Sequence, residues 1–152
     1  MEITLSVNGA QVVRDVEPQE LLLDFLRDSL GLTGAKKSCE VQVCGACTVL
    51  VDGLPVSACC YLAADADGRQ VTTIEGLAGR PEFERLEEAF TKHAGLQCGF
   101  CTPGMLLTVS ALLESGELDG DEEIKRSLAG NLCRCTGYRG ILEAVEELTA
   151  AR

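Results

Sequence analysis

Eight of the nine cysteines in this chain fall into two sets of four. Cys39, Cys44, Cys47 and Cys59 follow the pattern C-x4-C-x2-C-x11-C. The first three match the spacing that holds a plant-type [2Fe–2S] cluster. Two irons bridged by two sulfides need four thiolates converging on one compact object. A tight loop supplies three of them, and a separate strand end supplies the fourth. Gly45 and Ala46 are small, so backbone N–H groups can approach the sulfurs and offset the negative charge. The competing reading is a structural zinc site, but zinc favours paired C-x2-C knuckles, which an x4 gap suits less well. Cys60 adjoins the fourth cysteine. Neighbouring residues of a strand point to opposite faces. Cys59 is therefore taken as the ligand and Cys60 as a small buried apolar residue.

Cys98 and Cys101 form C-x2-C, and Cys133 and Cys135 form C-x-C. Both pairs lie at expected helix junctions, where free N–H groups and the helix dipole stabilise thiolates. Spacing alone leaves zinc, an iron–sulfur cluster and a redox dithiol open for this set. His93 is read as a solvated or helix-end histidine, since two complete sets leave it no vacancy. Arg134, between two cysteines, either neutralises charge there or meets an acid at a subunit contact. Tyr138 packs near the second set or in the ordinary core. The acidic run from Asp119 to Glu123 reads as a solvated helix start. No residues form a catalytic constellation, and no glycine-rich nucleotide fingerprint is present.

The elements that must position these cysteines differ between the two halves. Ile3, Leu5 and Val7 alternate as in a strand, and Asn8-Gly9 turns it into a second strand over about 11–16. Pro18 is expected to open a helix carrying Leu22, Phe25 and Leu26, closed by Gly31. The first cysteine loop follows, then strands near 48–51, Pro55 and 70–74. Beyond about Gly76 the pattern turns helical. Phe83, Leu86 and Phe90 share one face, and Thr102 is placed as the cap of a helix starting at Pro103 and ending at Gly116. Two further helices are expected from Asp121 and from about Tyr138 to Ala150. The N-terminal half thus reads as α+β and the C-terminal half as a small helix bundle.

Bulk properties narrow the function. The net charge is −11 and aromatic residues make up 4% of the 152 residues, which argues against nucleic acid and anionic membranes as partners. No apolar stretch approaches the roughly 20 residues of a membrane span. The N-terminus lacks the basic start and apolar run of a signal peptide, so a cytoplasmic location is expected. Thiols there rarely pair as disulfides, so a dense set of them reads as metal ligands or catalytic groups.

The flanks of the second set carry a family resemblance. Gln97-Cys98-Gly99-Phe100-Cys101-Thr102-Pro103-Gly104 and Gly130-Asn131-Leu132-Cys133-Arg134-Cys135-Thr136-Gly137-Tyr138 resemble the small subunit of molybdenum hydroxylases. That family includes xanthine dehydrogenase, aldehyde oxidoreductase and aerobic carbon monoxide dehydrogenase. Cys44-Gly45-Ala46-Cys47-Thr48-Val49 and Thr73-Ile74-Glu75-Gly76-Leu77 resemble it too, in the family's order. Ser38 and Gln42 stand where the family often has glycine, and Cys60 where it often has another apolar residue.

The resemblance implies an α+β fold: a ferredoxin-like β-grasp domain over 1–77, followed by a four-helix bundle domain over 78–152. It implies an outer [2Fe–2S] cluster on Cys39, Cys44, Cys47 and Cys59, nearer a flavin. It implies an inner one on Cys98, Cys101, Cys133 and Cys135, nearer molybdenum. Gln97 matches a residue that hydrogen-bonds the pterin of the molybdenum cofactor, and Cys135 lies in the same region. The implied partners are a large molybdenum-cofactor subunit and a medium FAD subunit, in a heterotrimer or a dimer of heterotrimers. This chain would pass single electrons between them.

Overall fold

The structure, a computed structural model, describes residues 1–116 and 120–150. Strand β1 (Glu2–Val7) buries Ile3, Leu5 and Val7 on one face. The Asn8–Gly9 turn takes left-handed backbone at both residues, as a tight hairpin requires, and returns the chain as β2 (Ala10–Asp15). A second hairpin joins β3 (Thr48–Val51) to β4 (Leu54–Ser57) through Asp52–Gly53. Strand β5 (Gln70–Thr72) lies between them, parallel to β1 and antiparallel to β3. The mixed sheet has the order β2-β1-β5-β3-β4. It supports the α+β expectation.

The first helix does not begin at Pro18. Leu21 forms an antiparallel bridge to Leu62, flanked by Leu22 N–H to the Tyr61 carbonyl (2.7 Å) and Ala63 N–H to the Glu20 carbonyl (2.8 Å). Backbone groups spent on that bridge cannot serve a helix. Helix α1 (Leu22–Asp24) therefore starts later and continues as one wide π turn, Phe25–Ser29. Leu22, Leu23, Phe25 and Leu26 are buried beneath the sheet with Ile3, Leu5 and Val49.

Helix α2 (Ile74–Leu77) leads into α3 (Glu82–Lys92), α4 (Thr102–Ser115), α5 (Asp121–Leu128) and α6 (Arg139–Ala150). Residue 119 of the acidic run lies outside the described residues, and α5 takes up the remainder. A second core collects Leu86, Phe90, Met105, Leu107, Ile141 and Val145. Helix α4 is buried at every position from Gly104 to Ala111. A helix apolar all round has no face for water. It sits centrally, touching β3, β4, α2, α5 and α6. Strand β3 is buried on both sides: Val49 and Val51 join the first core, and Leu50 joins the helical one. Gly116 ends α4 in a left-handed conformation, as expected. Thr102 does not cap it. Cys101 holds the cap position, Thr102 is the first helical residue, and its hydroxyl makes no capping hydrogen bond.

The two cores meet where backbone approaches backbone. A Cβ on Gly104 would collide with the Gly45 carbonyl, and a Cβ on Gly45 with the Gly130 carbonyl. Buried Asn131 fills this joint. Its Nδ2 donates to the Gly45 carbonyl and to Thr48 Oγ1, each at 3.2 Å, while its Oδ1 accepts from Thr108 Oγ1 at 2.9 Å. Beside it, Leu132 N–H donates to the Cys44 carbonyl at 2.8 Å. Replacing Asn131 by Ala would strand buried partners, at about 1–3 kcal/mol for each polar group left unsatisfied. The Asn131→Ala chain is expected to unfold at distinctly lower denaturant concentration. An unchanged midpoint would show that the joint does not hold the halves together.

Candidate metal centres

The first cysteine loop leaves α1 and is pinned before it reaches Cys39. The Arg27 guanidinium donates to the carbonyls of Thr33 (2.9 Å) and Ala35 (2.7 Å). Glu75 accepts from Gly34 N–H at 2.8 Å and from Thr73 Oγ1 at 2.6 Å. Asn8 completes this network through the Thr73 amide and hydroxyl. A Cβ on Gly34 would run into Ile74, so the chain passes closely here. The stretch Thr73-Ile74-Glu75-Gly76-Leu77 thus works as an anchor for the cysteine loop, tens of residues away in sequence.

Within the loop, Cys39 Sγ accepts hydrogen bonds from the N–H groups of Val43 (3.3 Å) and Cys44 (3.4 Å). Backbone amides, that of Val41 foremost, lower its thiol pKa to about 6. Glu40 and Gln42 both take left-handed backbone. Successive amides turned inward in this way form a concavity that receives anionic sulfur. A left-handed conformation costs a residue with a Cβ about 1–2 kcal/mol. Gln42, which stands where the family often has glycine, therefore adopts the glycine-like conformation and bears that strain.

Cys47 and Cys59 lie at the edge of the first core, 2% and 3% exposed. Burial pushes the Cys47 thiol up to about 12. A thiolate at that depth needs a metal cation beside it. Cys59 occupies a 3-10 turn, Ala58–Cys60, just after β4. Cys60 is exposed, against the expectation of a buried apolar residue. The reason is the turn: the strand has ended, so the two thiols are not thrown to opposite faces. Their sulfurs stand 3.8 Å apart.

The second set is assembled from the α3–α4 and α5–α6 connections. Cys98 and Cys135 are exposed, whereas Cys101 and Cys133 are partly covered. Burial raises the Cys101 thiol to about 12. Burial also opposes ionisation of Cys133, but hydrogen bonds from Thr136 and from the Cys135 amide outweigh it and lower the pKa. Thr136 Oγ1 donates to Cys133 Sγ at 3.1 Å. Tyr138, in left-handed backbone, acts as a strut: its hydroxyl accepts from Cys133 N–H (2.9 Å) and donates to the Asn131 carbonyl (3.0 Å). These four cysteines line a cavity of about 490 Å³ together with Arg134, Tyr138 and Cys44 of the first set. The two sets are neighbours.

Within each set the thiols lie close enough to influence one another's ionisation, Cys39 with Cys44, Cys47 with Cys59 and Cys44, Cys98 with Cys135 and Cys133, and Cys101 with Cys133 and Cys98. Among the described residues no three Cys, His, Asp or Glu side chains form a group that could hold one metal ion. Four thiols per set, with N–H and O–H groups aimed at Cys39 and Cys133, fit an iron–sulfur cluster. Thr102 Oγ1, next to Cys101, is buried with no protein partner in the structure.

Gln97 is exposed beside Cys98. His93 ends α3 as expected but is only 23% exposed, with its ring nitrogens facing Glu147 (2.6 Å) and Glu143 (3.7 Å) of α6. Sequence reasoning missed Asn131, Thr136 and Glu75 as functional positions. Only the places of Asn131 and Thr136 in the second cysteine motif, and of Glu75 in Thr73-Ile74-Glu75-Gly76-Leu77, could have marked them. No helix among the described residues is long and apolar enough to cross a membrane.

Comparison with known proteins places these sites in context. Residues 5–75 match the 2Fe-2S iron-sulfur cluster binding domain family, and residues 73–146 match the [2Fe-2S] binding domain family. The chain is 45% identical over 150 residues to caffeine dehydrogenase subunit gamma of Pseudomonas sp. (strain CBB1), covering 97% of this chain and 90% of that one. It is 48% identical over 145 residues to the nicotine 6-hydroxylase small subunit of Paenarthrobacter nicotinovorans, covering 95% and 87%. Quinoline 2-oxidoreductase from Pseudomonas putida 86 contains a chain that superimposes with a TM-score of 0.91 at 43% identity, covering 99% and 93%.

The Glu75 anchor gives a pH test. Burial raises its pKa, but the Thr73 hydroxyl and the Gly34 amide more than offset this, and the folded value lies below the ordinary 4.5. A depressed carboxylate adds stability that is complete above the unfolded value and is lost as pH falls through the folded one. Glu75→Gln is therefore expected to melt lower than the parent chain at pH 7, with the gap closing below about pH 4.5. A gap independent of pH would contradict the role of the charge.

Proposed function

We propose, proceeding from the fact that the chain belongs to the iron–sulfur small-subunit family of the molybdenum hydroxylases, that it relays single electrons from a molybdenum-cofactor subunit to a flavin subunit. The chain is the non-catalytic, electron-transfer subunit of an oxidoreductase. Cys39, Cys44, Cys47 and Cys59 would hold an outer [2Fe–2S] cluster in an N-terminal domain, 1–77. Cys98, Cys101, Cys133 and Cys135 would hold an inner one in a four-helix bundle domain, 78–152. Each cluster, when bound, takes up and releases one electron.

The observation that carries this reading is the shared wall between the two sets. Cys44 lines the cavity of the second set, and the Leu132 N–H bond to the Cys44 carbonyl joins the two ligand segments directly. Donor and acceptor held at fixed short range suit a relay, whereas a structural metal module gains nothing from that proximity. The flanks of the sets are open to partners. Phe100 and Leu132 are 47% and 49% exposed near the second set. Gln97 and Cys135, also exposed, would reach the pterin of the partner's molybdenum cofactor from this side. Val41 and Val43 are exposed on the first loop, where a flavin subunit would dock. The assembly would be a heterotrimer or a pair of heterotrimers.

Thr136 has a defined task within this scheme. Its hydroxyl donates to Cys133 Sγ and so stabilises the more negative, reduced state of the inner cluster. Thr136→Val keeps the shape and removes the donor. The midpoint potential of the inner cluster is expected to fall by roughly 20–60 mV, the equivalent of one neutral hydrogen bond. Thr136→Ser should restore it. Equal potentials in all three chains would remove the hydroxyl from the account.

The relay itself is tested in the assembled complex, with quinoline, nicotine and caffeine offered as reductants. Cys133→Ser is expected to halve the iron and acid-labile sulfide of the chain and to abolish substrate-driven flavin reduction. Flavin reduction at the parent rate in a chain lacking the inner cluster would overturn the proposal.

A further inference from the structure

We propose that Cys60 is a reserve ligand of the outer cluster, able to replace Cys59 on the iron that Cys59 holds. The inference rests on the reading that the first set binds a [2Fe–2S] cluster. Neither set needs this ninth cysteine, yet its position is not that of a bystander. It shares the 3-10 turn Ala58–Cys60 with Cys59. With about three residues per turn, successive side chains in such a turn diverge by roughly 120° rather than the half-turn of a strand. The two sulfurs consequently stand 3.8 Å apart on one side of the turn.

The second contact of Cys60 points to the cluster as well. Its thiol donates to the Glu40 carbonyl at 3.9 Å, across the ligand loop and one residue from Cys39. Cys60 also lies close enough to Cys39 to feel its charge. The thiol is thus tied to both walls of the first site, not to the sheet behind it. Room exists for movement. A polar groove of about 310 Å³, lined by Gln42, Ser57, Tyr61 and Cys60 itself, opens on the solvent side.

The exchange needs no redox partner. The iron–sulfur bond to Cys59 breaks as a bond from the Cys60 sulfur to the same iron forms. The Cys60 thiol proton passes to the departing Cys59 thiolate, and no electron is gained or lost.

The test compares full-length Cys59→Ala, Cys60→Ala and the double variant, each reconstituted anaerobically with iron and sulfide. Iron, sulfide, EPR and iodoacetamide labelling of Cys60 are measured. Cys60→Ala is expected to keep both clusters with the parent EPR signals. Cys59→Ala should also keep both, with altered g values for the outer cluster and with Cys60 now protected from alkylation. The double variant should keep only the inner cluster and half the iron. Equal iron in Cys59→Ala and the double variant, with the inner signal intact as proof of folding, overturns the proposal. If the alanine chain does not fold, Cys59→Ser with and without Cys60 decides the question, and equal outer-cluster content in that pair likewise overturns it. Absence of the outer cluster from the unsubstituted chain would instead remove the premise, and the proposal with it.

Discussion

Everything functional in this chain depends on one close approach, in which the backbone of the first cysteine loop is packed against the backbone flanking the second set. Gly45 and Gly104 permit it because a side chain on either would collide with a facing backbone carbonyl, that of Gly130 or of Gly45. Asn131 then satisfies the buried polar groups that the approach would otherwise leave stranded. An unpaired amide or carbonyl in such a place is costly. The arrangement is therefore either complete or unfavourable, which fixes the spacing of the two sets instead of leaving it to a flexible linker.

Around that joint, each cysteine set is treated differently by its surroundings. Cys47 and Cys59 are sunk in the first core, while Cys39 sits in a nest of amides on the surface side. In the second set the exposed pair, Cys98 and Cys135, lies outside, and the covered pair, Cys101 and Cys133, lies inside. Each set thus has a buried side facing the protein and an open side facing solvent. Hydrogen bonds to sulfur concentrate on Cys39 and Cys133. In the proposed relay those bonds would tune the potentials of the two clusters.

Much of this was legible in the sequence, and the reasons differ from place to place. The spacing of Cys39, Cys44 and Cys47 is a local pattern that points to a cluster by itself, whereas the spacing of the second set left zinc, a cluster and a redox dithiol open, and only its flanking residues carried the resemblance. The hairpin at Asn8-Gly9 and the end of α4 at Gly116 were legible because positive φ selects particular residues. The start of α1 was not, because the bridge between Leu21 and Leu62 is a long-range pairing that overrides the local signal of Pro18. Cys60 was misplaced because the alternation rule holds only while a strand continues, and β4 ends at Ser57. The roles of Asn131 and Glu75 are invisible to periodicity: their partners lie far off in the chain, at Gly45 and Gly34.

The most direct test of the central claim is low-temperature EPR of the dithionite-reduced chain, quantified against its iron and sulfide. Two clusters fixed side by side by the Asn131 joint should give two distinct [2Fe–2S] signals that gain extra splitting on further cooling, as neighbouring spins interact. Two signals with no trace of interaction would contradict the fixed juxtaposition. Zinc in place of iron, with no signal at all, would contradict the electron-transfer account as a whole.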